Sequence, residues 1–346
     1  MLMQFNNTRK HFASDNYSGV HPAFMQALHT ANQGHVAAYG DDYFTHELQR
    51  LIKQHFGEQA RGYPVFNGTG ANVLGLQCLL PRWGAIICPS TAHIHTDESN
   101  APQVVGGCKL MLVESPDGKL TPELIAKEAY GFGNEHRSQP AVVYISQATE
   151  CGTCYTLDEL SNLADATHRY GMKLFVDGAR LSNAVCHLQT DFHTMITKTG
   201  VDMVSLGGTK NGMMFGECLI DVTGNTGDEL RYLRKMSMQT ASKMRYISAQ
   251  LITLLEDELY RTLATHSNAM AMYLSQQLSV LSGVEICYPV EANSVFVRLP
   301  DGVADTVRQS FAFYDWGGDG MARLMCSFDT TQQDVDALVS AIKQAM

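Results

Sequence analysis

The chain predicts an α/β fold, with a large domain built on a mostly parallel sheet between helix layers and a smaller α+β domain after it. Three observations carry this expectation. Short Val/Ile-rich runs recur between turn residues, as strands covered on both faces do. The segments between them keep helical spacing, so strand and helix alternate. After about Gly227 the pattern turns into a long helical stretch and then into alternating strands. With 346 residues, 45% of them hydrophobic, the chain can bury one large core and a second, smaller one. The division is expected between residues 1–250 and 251–346.

The first strand-like segment lies in "YPVFNGTGANVLGL", where it runs into Gly68-Thr69-Gly70 and then an apolar helix. Free backbone N–H groups and the helix dipole make such a turn a cup for a phosphate. It is not a dinucleotide fingerprint, because GxGxxG counted from Gly68 needs glycine where Val73 stands. "AIICP" (Ala85 to Pro89), "AVVYIS" (Ala141 to Ser146), "KLFVD" (Lys173 to Asp177) and "DMVSL" (Asp202 to Leu206) read as buried strands. Between the second and third of these, Thr156 and Glu159 form a capping box. Leu160, Leu163, Ala164 and Thr167 follow at helical spacing, and Gly171 supplies the stop. That is a βαβ unit, and sheets made of such units bind ligands at the carboxyl ends of their strands. Gly227 to Gly283 reads as helical. "SVFVRL" and "ARLMCSF" read as strands, and Val335, Leu338, Val339 and Ile342 mark one face of a last helix.

A net charge of −10 argues against a nucleic-acid binder, whose affinity rests on clustered Lys and Arg. The N-terminus turns polar after five residues and no run reaches transmembrane length, so a cytoplasmic protein without a membrane partner is expected. Nine cysteines scattered through apolar segments read as reduced core residues. Cys151 and Cys154 form a CxxC, but no second ligand pair matches it, so both read as small buried residues at a strand end.

The polar residues at the strand ends carry the chemistry. "KLFVDGAR" ends a strand in Asp177, with Arg180 beyond it, and "DMVSLGGTK" ends the next in Lys210. Two successive strands are thus expected to bring a carboxylate and an amine to one crevice, either as a structural ion pair or, with the Gly68-Thr69-Gly70 cup, as a functional set. These are the parts of a pyridoxal 5'-phosphate site. The lysine joins the cofactor aldehyde, burial lowers its pKa toward the nucleophilic form, and the glycines around it are expected to leave room for the cofactor. The aspartate pairs with the ring nitrogen and keeps it protonated as an electron sink.

The series "SDNYSG", "YGDDYFTHEL", "FNGTGAN", "TAHIHTDE", "ISQATECGTCY", "FVDGARLSNA", "SLGGTKNG" and "ARLMCSF" resembles the low-specificity threonine aldolases, pyridoxal-phosphate enzymes of fold type I within the β-eliminating lyase group. The resemblance spans nearly the whole chain. It implies retro-aldol cleavage of L-threonine or L-allo-threonine to glycine and an aldehyde. Lys210 would be the Schiff-base lysine, Asp177 the partner of the ring nitrogen, and His93 the imidazole stacked on the ring. Gly68 and Thr69 would hold the phosphate, with Ser205 and Thr209 nearby. Arg180 and Arg323 would grip the substrate carboxylate, with Ser14 close to it. Tyr39 would border the substrate pocket, and Gln147 and Glu150 would lie near the cofactor plane. His136 is a conceivable contact of the β-hydroxyl, and His93 or an ordered water its base. The resemblance also implies a homo-oligomer, a dimer of dimers, in which the basic clusters "RYLRKM" and "SKMRY" reach a neighbour's phosphate.

Other readings stand beside this one. A lyase of the tryptophanase or tyrosine phenol-lyase kind would share Asp177 and Lys210 but release ammonia and pyruvate. A nicotinamide oxidoreductase is opposed by the broken glycine pattern. On an extended segment His93 and His95 would lie on one side, with Asp97 and Glu98 adjacent, but a metal would need a further ligand that the sequence does not supply, so no metal is expected.

Overall fold

The computed structural model describes residues 10–317 and 320–346; residues 1–9, part of the N-terminal segment discussed above, lie outside the described residues. A seven-stranded sheet has the order β1-β7-β6-β5-β4-β2-β3, with β1 at Arg61–Val65, β2 at Gly84–Pro89, β3 at Lys109–Val113, β4 at Gln139–Ser146, β5 at Lys173–Gly178, β6 at Met203–Gly207 and β7 at Glu217–Asp221. The run from β3 to β6 is parallel, and β7 enters antiparallel between β6 and β1. Strands β2 and β6 are buried along their whole length, because helices cover both faces of the sheet. The expected βαβ helix spans Leu157–Arg169, and both bonds of the Thr156/Glu159 capping box are present. Gly171 closes it at φ +72°, a conformation that favours glycine.

The second sheet is antiparallel, in the order β10-β11-β9-β8, from β8 (Glu285–Ile286), β9 (Ser294–Arg298), β10 (Tyr314–Trp316) and β11 (Met321–Met325). The last helix, Gln332–Ala345, buries Val335, Leu338, Val339 and Ile342, worth roughly 1.5–3 kcal/mol for each fully buried side chain. The large and small cores meet along the helix Leu259–Ser279. Its Tyr260 and Leu263 join the large core, while Ala271, Leu274 and Leu278 join the small one together with Phe12. Position 250 lies inside the helix Arg245–Leu255, whose Leu251, Leu254 and Leu255 pack in the large core. We therefore propose that helix Leu259–Ser279, not position 250, divides the domains.

Candidate active site

The ends of β1, β2, β4, β5 and β6 open on one edge of the large sheet, and the small sheet faces the same edge. Asp177, one residue before the end of β5, is buried. Its Oδ2 accepts hydrogen bonds from the Tyr144 hydroxyl at 2.7 Å and Asn72 Nδ2 at 2.9 Å, and its Oδ1 accepts the Ala179 N–H at 2.8 Å. Burial works against the ionised carboxyl, but the bonds from Asn72 and Tyr144, helped by Lys210 and His93, outweigh it and hold the group below the ordinary carboxylate range.

Lys210 follows β6 on a short turn, and its amine has no hydrogen bond or ion pair among the described residues. Burial and the Arg180 charge push the amine below the ordinary lysine value, against the pull of Asp15, Asp177 and Glu217. The surrounding glycines serve a different purpose from the one expected. A Cβ on Gly207 would stand 2.4 Å from the Ala179 carbonyl oxygen, and one on Gly178 would stand 2.1 Å from the Ser205 carbonyl oxygen. Main chain packs directly on main chain there. Open space lies instead at Gly68, where a Cβ would meet nothing within 4 Å. Gly68 begins the helix Gly68–Leu79, capped by Asn67, whose Oδ1 accepts the Gly70 N–H at 2.7 Å.

An inner cavity of about 60 Å³ brings together Gly68, Thr69, Asn72, His93, Asp177 and Lys210. It adjoins an outer cavity of about 770 Å³, reached by His93, Glu150, Arg180 and Lys210 as well, and lined further out by Ser14 and Arg323. His93 opens a short helix, His93–Thr96. Successive positions two apart on a helix point to different sides, so His93 and His95 do not share a face as the extended reading required. His93 Nδ1 lies 2.9 Å from Glu98 Oε1, and this bond raises the proton affinity of the ring by more than burial lowers it. Glu150 accepts the His93 N–H at 3.0 Å and the Ser146 hydroxyl at 2.6 Å, and burial raises its carboxyl above the ordinary value.

The two guanidinium groups differ. Arg180 Nε and Nη2 donate to the two oxygens of buried Asp15 at 2.8 and 2.9 Å. Its bidentate fork is therefore filled by the chain itself, and Nη1 is the nitrogen left for a substrate. Arg323, on β11, pairs with no carboxylate among the described residues. Its Nη2 donates to the Ala13 carbonyl at 3.3 Å, its Nε is buried without a partner, and its guanidinium stacks 5.2 Å from the Trp316 ring centroid. Burial, with the charge of Arg180, pushes it down to about 10.

Four expected residues stand apart from the cavity within this chain. Gln147 is buried, and its amide is spent on the backbone of Tyr155 at 2.9 Å in both directions. Ser205 accepts the Gly178 N–H at 3.0 Å inside the sheet. The Thr209 hydroxyl turns toward the Gly216 carbonyl at 3.4 Å. Tyr39 is exposed beneath the Lys235 amine, 5.0 Å from its ring centroid. Conversely, sequence reasoning passed over Asn72, Tyr144 and Asp15, although Asn72 and Asp15 lie within "FNGTGAN" and "SDNYSG". Cys151 and Cys154 are buried; burial pushes the Cys151 thiol up to about 11, and the Cys154 N–H donates to Glu291 at 2.6 Å. Both belong to the packing of the loop.

With this geometry in hand, the comparisons with known proteins decide the family. The β-eliminating lyase model matches residues 11–301. The chain belongs to the β-eliminating lyase family. It is 40% identical over 337 residues to the low specificity L-threonine aldolase of Pseudomonas sp. (strain NCIMB 10558), covering 97% of each chain. It is 39% identical to the enzyme of the same description from Pseudomonas aeruginosa, with the same coverage. Among solved structures it resembles the threonine aldolase of Leishmania major, with a TM-score of 0.90 at 30% identity, over 96% of this chain and 98% of that one. The architecture of this β-eliminating lyase is fold type I, with its smaller domain at the C-terminus.

Proposed function

We propose that the chain is a pyridoxal 5'-phosphate-dependent aldehyde-lyase that cleaves L-threonine and L-allo-threonine to glycine and acetaldehyde. One observation carries this reading: the Lys210 amine, without a hydrogen-bond or ion-pair partner among the described residues, and the buried Asp177 carboxylate, held below the ordinary carboxylate range, face one cavity at a helix N-terminus. The donor set fits the cofactor. Gly68 and Thr69 offer the helix N-terminus and open space to a phosphate, and Asp177 offers an anion to a protonated ring nitrogen. Asn72 Oδ1, Glu98 Oε2 and Glu150 Oε2, on residues lining the cavity, are buried without partners among the described residues, as polar atoms awaiting a polar ligand are.

When bound, the cofactor supplies an aldehyde that links to the substrate amine and a ring that accepts the electron pair released from the Cα–Cβ bond. The chain supplies the rest. Lys210 offers its amine in the neutral, nucleophilic form that burial favours. Arg323, with Arg180 Nη1 and the Ser14 hydroxyl beside it, receives the substrate carboxylate and so sets which Cα bond is aligned for cleavage. His93, its Nδ1 held by Glu98, takes the β-hydroxyl proton on Nε2 as the aldehyde C=O forms. Glu98 thereby keeps the ring in one orientation and strengthens it as a base.

The coarser features follow the same reading. A separate hollow of about 800 Å³ carries neither Asp177 nor Lys210. It lies between Met25, Leu28, Phe66, Met214 and Tyr246, and exposed Tyr39 donates its N–H to the carbonyl of Ser242, a lining residue. We infer that further copies of this chain cover that face, giving a homotetramer in which Tyr39 lies at a subunit boundary. No helix among the described residues is long and apolar enough to cross a membrane, and a cytoplasmic enzyme of threonine breakdown and glycine formation fits the chemistry. Lys210→Ala tests the central assignment. The variant loses the visible absorbance of the bound cofactor and the formation of glycine from L-threonine; retained turnover refutes it.

A further inference from the structure

Behind the Lys210 turn stands a carboxylate that the mechanism above does not use. Glu217 opens β7 directly opposite Gly207 in the antiparallel ladder and is buried. Its Oε2 accepts the Gly208 N–H at 2.6 Å, two residues before Lys210. The Thr209 hydroxyl and the Lys210 ammonium face it from that turn, Asp177 faces it from β5, and Cys218 adjoins it on its own strand. On its far side Gly216 packs on the apolar side chain of Ile247.

We propose that Glu217 is a positioning residue for Lys210, anchoring the turn that presents the amine and placing a carboxylate behind it. The bond geometry carries this. A charge-assisted bond to a backbone N–H fixes the turn where it leaves β6, and no other side chain among the described residues accepts from Gly208. The electrostatic link is reciprocal: Lys210 favours the ionised form of Glu217, and Glu217 favours the charged form of Lys210. Burial pushes the Glu217 carboxyl up to about 7, against the Gly208 bond and Lys210.

The inference rests on the pyridoxal-phosphate reading, and a pH titration of the holoenzyme's visible absorbance separates the two. The band reports whether the Lys210 nitrogen carries its proton. Glu217→Gln keeps an oxygen for the Gly208 N–H and removes the charge. It retains the cofactor, and its pH midpoint falls by about one unit, a tenfold change in proton affinity. Glu217→Ala removes the anchor as well, so its cofactor dissociates at least tenfold more readily on dialysis than that of Glu217→Gln, with circular dichroism confirming that both are folded. A midpoint in Glu217→Gln equal to that of the wild type, with the band present in both, overturns the proposal. Absence of the band from the wild-type protein after incubation with pyridoxal phosphate overturns the cofactor reading instead.

Discussion

Replacing Arg323 by methionine is expected to strengthen the fold and destroy substrate recognition together. The guanidinium is pushed down to about 10 from 12.5, and each tenfold loss of proton affinity costs about 1.4 kcal/mol, so keeping the charge there costs the substrate-free fold on the order of 3 kcal/mol. Stacking against Trp316 and Tyr314 returns about 1–2 kcal/mol. The net strain is about 1–2 kcal/mol. Methionine fills the same stem volume with apolar atoms beside Phe296, its neighbour on β9, and exchange of a buried charge for packed apolar volume is neutral or stabilising. Binding moves the other way. Two charge-assisted hydrogen bonds to the substrate carboxylate are lost, each worth about 1.5–3 kcal/mol, which raises KM by at least about a hundredfold. Urea denaturation with and without saturating glycine reads both effects. The variant unfolds at higher urea than the wild type without glycine, and glycine stabilises the wild type alone. A variant that is less stable, and that glycine still protects to the wild-type degree, refutes the assignment of Arg323 as the carboxylate receptor.

Other positions give separate tests. Asp15→Ala leaves the Arg180 guanidinium buried without its carboxylate and lowers stability at neutral pH by about 3–5 kcal/mol, measured as a shift in the urea midpoint. The folded carboxyl of Asp15 is held below 3.8, so the stabilisation is fully present above about pH 4 and lost as the pH falls through the folded value; the gap between wild type and variant closes in acid. The glycines separate packing from binding. Gly207→Ala drives a methyl onto the Ala179 carbonyl and destabilises the fold by more than about 2 kcal/mol. Gly68→Val, which meets no atom of the chain at its Cβ, leaves the unfolding midpoint within about 0.5 kcal/mol but weakens cofactor retention on dialysis.

The strands that read clearly were those whose burial shows along the chain. β2, β4, β5 and β6 are continuous apolar runs, and β9, β11 and the last helix keep their periodicity. β3 did not stand out, because at the sheet edge it is half-exposed, and neither did β7, which begins and ends in buried acids, Glu217 and Asp221. A buried acid looks the same in sequence as an exposed one; only its partners, here the Gly208 N–H and the Thr223 to Thr226 backbone, make burial tolerable.

For the site, Asp177 and Lys210 were legible because strand ends are a local property and parallel strands bring their ends to one edge. Local order along the chain thus determined the fold class, the chemistry of the cavity and the candidate cofactor. Tertiary structure alone decided the rest. Asn72 reaches Asp177 across 105 residues, and Asp15 reaches Arg180 across 165, so the chain's own carboxylate occupies Arg180 and leaves Arg323 open. The same packing turned the amide of Gln147 into the core and set Glu217 behind Lys210. The physical reason is that hydrogen-bond and charge pairing depend on distances of a few ångströms between side chains, and those distances are fixed by how helices and sheets pack, not by spacing along the chain.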